Sequence, residues 1–343
     1  MIGIRNYLHK KMFDSTNRII IKKKKLLIPK KIVEDFKYLQ IHNFGPKNKK
    51  KIFYIIQRKI GGGLFSNLLY VLNHLVISSK LGLIPVVDMQ NFEGFYNEKL
   101  KVNNTLNAWE YYFNQPSNYK LENVYKSKNV IISGNFVFKN YKYRALKKYT
   151  AILKIYKKYI KINQNILDEV NKIYDDLKIN KNDTIGLHWR GTDHKYLPNH
   201  PQPPTRNQIF AKLDYILKTK NIKKIFLVTE DPNYLEIIKK RYGKKVKYLK
   251  SFRSKKSSDF SNFKRKNHRY KVGKESLIEA IILSRLNYLI CSESNISDFV
   301  NFMSKNKNFF IDRIENKRNS KNSLICFLKW KMKSYIPSSL GGY

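Results

Sequence analysis

Acidic residues are scarce in this chain. Only 25 aspartates and glutamates stand against 69 lysines and arginines, a formal charge of +44 over 343 residues. A surplus of this size first suggests nucleic acid as the partner, but its make-up argues otherwise. Lysine, isoleucine, asparagine and tyrosine are abundant throughout, a pattern that AT-rich coding sequence leaves without any selection for binding. Lysines also far outnumber arginines, whereas base and phosphate readers favour the planar arginine fork. Compositional bias therefore explains the charge first, and attraction to an anionic surface second. A basic nucleic-acid-binding protein is kept only as an alternative, and no specific nucleic acid is expected as a partner.

Cysteine is nearly absent too. Cys291 and Cys326 are the only two, which excludes a disulfide framework and fits a reducing compartment. No Cys-x-x-Cys or His/Cys cluster offers a structural zinc site, and no Asp-x-Asp pair stands at a strand end, so no metal is expected. No uninterrupted apolar run reaches the length of a membrane span. Met1-Ile2-Gly3-Ile4-Arg5 lacks the apolar core of a signal peptide. The expectation is a cytoplasmic protein, soluble or held peripherally at the inner face of an anionic membrane.

Hydrophobic residues make up 42% of the chain and aromatics 14%, which excludes a disordered protein. The length suits two domains. The organisation reads as a basic arm over 1–50, with the run Lys22 to Lys25, an α/β domain over 51–180, a second over 181–315 and a basic, amphipathic tail over 316–343. In the first domain the strand KIFYII, 51–56, runs into Gly61-Gly62-Gly63-Leu64-Phe65-Ser66-Asn67 and a helix reaching about Lys80. LIPVVD, 83–88, and 129–133 are further strands, and 146–179 reads as mostly helical. Strand, glycine turn, helix and strand form a βαβ unit, hence a parallel sheet, and the amides opening the helix form an anion site.

Gly61, Gly63 and Ser66, with Asp88 closing the next strand, also approximate a dinucleotide fingerprint in which the acid would hold a ribose. The third glycine is missing, and an NAD-binding oxidoreductase stands as a second alternative. The aromatic segment 90–134 places carboxylates beside ring faces, as at Glu93 and Trp109. Proteins hold sugars this way, and equally pack an ordinary helix this way; the segment is the candidate acceptor surface.

The second domain alternates strand 184–189, helix 205–219, strand 223–229, a helix opening at Pro232 and a short strand 246–249. A polar loop over 251–271, expected to be mobile over the site, leads to a helix 274–285, a strand 288–291 and a helix starting near Asn295 or Ile296. Its densest signal is DTIGLHWRGTDHK, Asp183 to Lys195. A buried strand delivers His188, Arg190, Thr192 and Asp193 at its carboxyl end, where open α/β sheets bind ligands. Arg190 offers a fork of donors to a phosphate, and Gly191 lets a ligand approach the backbone.

IFLVTEDP (225–232), KESLIEA (274–280) and LICSESN (289–295) follow. A strand ending H-x-R-x-[TG]-D, a strand ending T-[DE]-D-P, a helix with an acid and a strand entering a serine turn come in that order. The series resembles the donor half of the GDP-fucose-dependent fucosyltransferase superfamily: the core α-1,6 and rhizobial nodulation enzymes and, more distantly, the α-1,2 and protein O-fucosyltransferases. It spans about 184–304, with a weaker echo at 61–67.

The resemblance implies an α/β fold of two Rossmann-like doubly wound domains facing across a cleft, the GT-B type. It implies an inverting, metal-independent glycosyltransferase that needs no cofactor and moves L-fucose from GDP-fucose to a hydroxyl of a surface or lipid-linked glycan. The same fold working with another nucleotide sugar is the near alternative. The implied partners are a nucleotide-sugar donor and a glycan or glycolipid acceptor.

By the same resemblance Arg190 takes the place of the diphosphate-contacting arginine, His188 of the base-contacting histidine and Glu279 of the guanine-reading acid. Ser292, Ser294 and Asn295 enter a helix, so their hydroxyls and amides suit phosphate oxygens. Gly62, Gly63 and Asn67 resemble the glycine-rich turn that meets donor or acceptor. The core α-1,6 enzymes carry a glutamate where this chain has His194-Lys195-Tyr196-Leu197-Pro198. The general base is therefore open between Asp193, His194 and, from the first domain, Glu93 or Asp88.

Overall fold

The structure, a computed structural model, describes residues 41–59, 62–134, 149–192, 194–195, 197–304, 308–316, 318–337 and 340. Gly61, Asp193 and the lysine run of the arm lie outside the described residues. The chain forms two compact units, divided between Asn163 and Gln164, and each has its own sheet.

In the first unit the strands are β1 (Ile41–His42), β2 (Lys47–Ile56), β3 (Ile84–Val87) and β4 (Ser127–Ile132), in the order β1-β4-β2-β3. β2 pairs parallel with both β3 and β4, and β1 runs antiparallel along β4. The lysine-rich start of β2 is exposed, while Phe53-Tyr54-Ile55-Ile56 is wholly buried. A central parallel strand covered on both faces needs such a continuous apolar run. The basic arm expected up to residue 50 thus already supplies strand at Ile41 and again from Lys47.

Helix α1 (Leu64–Lys80) is buried on almost every side, as expected of a helix that is apolar all round. Two of its buried polar residues are paired: His74 shares a 2.8 Å hydrogen bond with the Tyr54 hydroxyl, and Ser78 donates to the Leu75 carbonyl. Helices α2 (Leu121–Val124) and α3 (Tyr149–Tyr159) complete the unit's regular elements.

Residues 88–120 form no helix or regular strand. Side chains bonded to backbone hold them instead. Asn107 accepts from the Met89 N–H and donates to the Val87 carbonyl, and Gln115 both donates to and accepts from Val87. Trp109, Tyr111, Tyr112 and Phe113 are all buried within this segment. The expected helix over 146–179 is split because residues 161–163 pair with the aromatic segment. Asn114 donates to the Lys161 carbonyl, and Asn163 donates to that of Tyr112.

The second unit contains α4 (Gln164–Asp176), β5 (Thr184–His188), α5 (Arg206–Thr219), β6 (Lys224–Val228), α6 (Pro232–Tyr242) and β7 (Val246–Lys247). There follow α7 (His268–Arg285), β8 (Tyr288–Cys291), α8 (Asn295–Met303), β9 (Phe310–Arg313) and α9 (Ser323–Tyr335). The sheet is parallel throughout, in the order β7-β6-β5-β8-β9. The chain winds outward in one direction from β5 to β7 and in the other from β8 to β9. The carboxyl ends of β5 and β8 therefore flank the switch point where such sheets bind ligands.

Helix starts in this unit follow from local chemistry. Thr205 and Gln208 form a capping box on α5, Asp231 caps α6 ahead of Pro232, and Ser294 with Ser297 caps α8. Gly186 in β5 is required by packing: a Cβ there would stand 2.7 Å from Leu283 on α7.

Helix α7 begins at His268, a turn and a half before the expected Lys274. Left-handed Asn267 (φ 52°) bends the chain into it. The loop expected to hang free over the site is packed down. The Phe252 ring meets those of Phe260, Phe263 and His268 at 4.7 to 5.4 Å, and Arg265 pairs with Glu275 at 2.8 Å.

Candidate functional site

A pocket of about 380 Å³, counted to its open mouth, lies at the carboxyl edge of the second sheet. His188 from the end of β5, Thr229 and Glu230 after β6, and Ile296 in the first turn of α8 line it, together with Ser251, Phe252, Glu275 and Glu279. The strand ends deliver the first of these side chains, and α7 presents the last two on one face, four residues apart.

His188 and Glu279, expected as donor contacts from the first and third motifs of the series, thus line one cavity. His188 is fully buried, and its Nδ1 has no hydrogen-bond partner. Burial first, and then the nearby Arg190 charge, push its pKa down to about 3. The ring is therefore neutral at any working pH and carries an open ring nitrogen.

Glu279 is equally buried. Its Oε1 accepts from the Ser251 hydroxyl at 2.7 Å and lies 4.0 Å from the Arg253 guanidinium. Desolvation lifts its carboxyl from 4.5 to about 7, only partly offset by Ser251 and Arg253. At neutral pH it stands between acid and anion, and a ligand offering N–H donors would draw it to the anion.

Arg190 is half-buried at the end of the strand and close enough for its charge to act on His188. The turn that carries it is clasped by Glu230, whose Oε1 accepts from the amides of Gly191 and Thr192 at 2.8 and 2.9 Å. Trp189, fully buried, stacks on Tyr234 with ring centroids 3.9 Å apart and 13° between planes. Tyr234 also explains Gly191, where a Cβ would come within 2.5 Å of its ring. The missing side chain at Gly191 makes room for a tyrosine rather than for a ligand, contrary to expectation.

Ser292, immediately after β8, has a buried hydroxyl without a partner. Ser294 is spent: its hydroxyl caps α8 by accepting from the Ser297 N–H. It shapes the helix start, while half-buried Asn295 is the first helical residue. His194 is buried, its ring 5.4 Å from that of His200 and its carbonyl bonded by Asn319.

In the first unit Asn67 lines a pocket of about 360 Å³, counted to its open mouth, with Arg58, Leu64, Phe95, Tyr96 and Trp109. It is 5% exposed, and its side-chain carbonyl accepts from Arg58 at 2.9 Å and from the Gly62 N–H at 3.2 Å. Gly63 precedes α1, whose first residue Leu64 donates to the Tyr96 hydroxyl. Trp109, which lines the same pocket, is 2% exposed and donates its indole N–H to the Asn114 carbonyl. Glu93 is exposed.

Asp88 is wholly buried and accepts from the Tyr125 hydroxyl, the Gln90 and Asn91 amides and the Asn91 side chain. A carboxylate so saturated has no capacity for a ribose or a substrate proton, which removes both the dinucleotide role and Asp88 as a base.

Glu230, Ser251 and Arg253 were not foreseen as site residues. Only the position of Glu230, next to the Asp231-Pro232 helix start, could have signalled its part. Among the described residues no group of three His, Cys, Asp or Glu side chains stands close enough to hold a metal. No described helix is long and apolar enough to cross a membrane.

No protein-family model and no curated protein matches the chain by sequence. Solved structures do match it. NodZ alpha-1,6-fucosyltransferase co-crystallized with GDP is similar at 14% identity and TM-score 0.50, over 73% of this chain and 92% of that one. Fucosyltransferase NodZ from Bradyrhizobium is similar at 14% identity and TM-score 0.48, over 73% and 93%. POFUT1 in complex with GDP is similar at 10% identity and TM-score 0.48, over 77% and 99%. The first of these likenesses establishes the fold: the chain is built as NodZ is, with the mixed α/β fold of the fucosyltransferases that its motif series resembles.

Proposed function

We propose that this chain is a glycosyltransferase, a fucosyltransferase that moves L-fucose from GDP-fucose to a hydroxyl of a surface or lipid-linked glycan. The observation that carries the proposal is the switch-point pocket, lined by neutral His188, with an open ring nitrogen, and by the buried carboxyl of Glu279, with Arg190 close enough for its charge to act on His188. A carboxylate accepts the paired N–H groups of guanine, and an arginine at the strand end meets a diphosphate. A solved structure with the same fold, NodZ, was co-crystallized with GDP.

In the proposed reaction the acceptor oxygen attacks the anomeric carbon from the face opposite GDP. The bond from that carbon to the phosphate oxygen breaks, and GDP leaves with the electron pair. The hydroxyl proton passes to a general base, and the configuration inverts. Arg190, the α8 amides and the Ser292 hydroxyl stabilise the charge growing on the diphosphate.

Thermal denaturation with GDP, UDP and NAD tests the proposal. GDP at about a hundredfold its dissociation constant adds roughly 2.7 kcal/mol of stability, and the shift is expected with magnesium or with chelator alike. An equal response to UDP would move the assignment to another nucleotide sugar, and a response lost with chelator would contradict metal independence.

The base is sought between two residues. Asp193→Asn or His194→Ala, whichever removes the base, is expected to lose turnover yet keep GDP affinity, since proton transfer belongs to the transition state. Wild-type turnover in both would place the base in Glu93 or in the substrate.

A further inference from the structure

Helix α9 is seated on the second unit by one narrow side. Cys326 is fully buried with its thiol on the Ser320 carbonyl, Lys333 reaches Gln202 at 2.8 Å, and the Trp330 ring lies 5.2 Å from the Lys195 ammonium. Asn322 caps the helix by accepting from the amides of Leu324 and Ile325. At about 100° per residue the three seated residues share one side.

On the other side Leu324, Ile325, Leu328, Met332 and Tyr335 fall within one sector about 100° wide. Their exposures are 64, 43, 48, 68 and 77%. Lys331 and Lys329 border this sector, one on each edge, and the helix contains no acidic residue. Single exposed apolar residues are ordinary, but a contiguous stripe marks a surface that something covers.

We propose that this face of α9 docks on an anionic lipid bilayer. Charge complementarity selects the occupant. An apolar stripe edged by lysines matches the boundary between acyl chains and phosphate headgroups: leucine and methionine enter, the lysine stems follow the apolar surface and their ammonium groups stay with the phosphates. Tyr335 has the amphipathic ring favoured at that depth. A nucleic acid would leave the stripe uncovered. A second copy of a chain charged +44 would bring like charges together.

The surface stands on its own, whichever donor the enzyme uses. It nonetheless bears on the site, because Asn319, just before α9, donates to the carbonyls of His194 and Leu197. Docking would hold the segment that follows Arg190 near the membrane, which suits an acceptor carried on a lipid.

The test is co-sedimentation of the full chain with phosphatidylcholine vesicles, with and without phosphatidylglycerol, at low and high salt. The double variant Leu328→Ser/Met332→Ser keeps every charge and alters two exposed positions, so circular dichroism is expected to match the wild type. The wild type is expected to bind the anionic vesicles, and the double variant to bind them roughly tenfold more weakly or worse. Lys329→Gln/Lys331→Gln is expected to weaken binding at low salt and to lose part of the salt dependence. Equal binding by the wild type and the serine variant would show that bulk charge alone is at work and overturn the proposal. So would absence of binding to anionic vesicles, or a dimer that the serine substitutions dissolve.

Discussion

Arg190→Ala is expected to lower fucosyl transfer by roughly two orders of magnitude or more, measured with GDP-fucose and any accepted glycan. The diphosphate leaving group gains charge as the glycosidic bond loosens, and the substitution removes the forked donor held beside it. Arg190→Lys is expected to recover little, because an ammonium keeps the charge and loses the two-pronged geometry. The fold is expected to survive both changes. The turn bearing Arg190 is fixed by the Glu230 carboxylate on two backbone amides and by Tyr234 over Gly191, and none of these contacts uses the arginine side chain. Near-normal transfer by Arg190→Ala would take away the main support for the proposed chemistry.

Glu279→Gln is expected to move affinity and stability in opposite directions. GDP binding should weaken roughly a hundredfold, since a carboxylate accepting two N–H donors becomes an amide that accepts one and opposes the other. UDP binding should change little. Stability follows from the carboxyl raised to about 7 by burial. The folded protein holds this proton more tightly than the unfolded chain does. Glu279 is therefore harmless to stability below about pH 4.5 and costs progressively more as pH rises to about 7, reaching about 3 kcal/mol. Glutamine lacks that cost, so the variant's advantage should grow across this window and level off above it. Denaturant midpoints at pH 5 and 8 measure it.

Wild-type GDP affinity carries the matching signature. It should fall as pH drops below about 7, approaching tenfold per unit, while the glutamine variant stays flat. Equal slopes in calorimetric titrations would remove Glu279 from the role of base reader.

Why some of this was legible and some was not comes down to range. The run Thr184 to Trp189 reads as a buried strand because every residue is covered, and Ser294, Asp231 and Thr205 announce helices through bonds made two or three residues away. That His188 and Glu279 line one pocket was readable only through the resemblance, since they stand 91 positions apart. Nothing local marks β1, two residues paired with a strand about 90 positions on. The 90–134 segment reads as a candidate sugar-binding surface because its rings are many; that asparagines and a glutamine bonded to backbone gather several of those rings around one pocket was not legible, since the bonds reach up to 28 residues along the chain. The early start of α7 was hidden because His268 to Lys271 is polar and shows no apolar period. The role of Glu230 depends on amides 38 and 39 residues earlier in the chain.

The stack of Trp189 on Tyr234 also makes the site's scaffold an optical object. Two aromatic rings stacked in nearly parallel planes 3.9 Å apart couple electronically, and in a rigid, chiral setting the coupling contributes near-ultraviolet dichroism through the skew of their in-plane transition dipoles. The chain has three tryptophans. Of the other two, Trp109 lies in the first unit against Phe113, and Trp330 lies on α9 with the Lys195 ammonium 5.2 Å from its ring. The difference spectrum between the wild type and Trp189→Phe isolates the share of the signal that belongs to the stack next to Arg190. A ligand that shifts the Arg190 turn against Gly191 and Tyr234 would write its arrival directly into the colour-blind end of the spectrum, with no label attached.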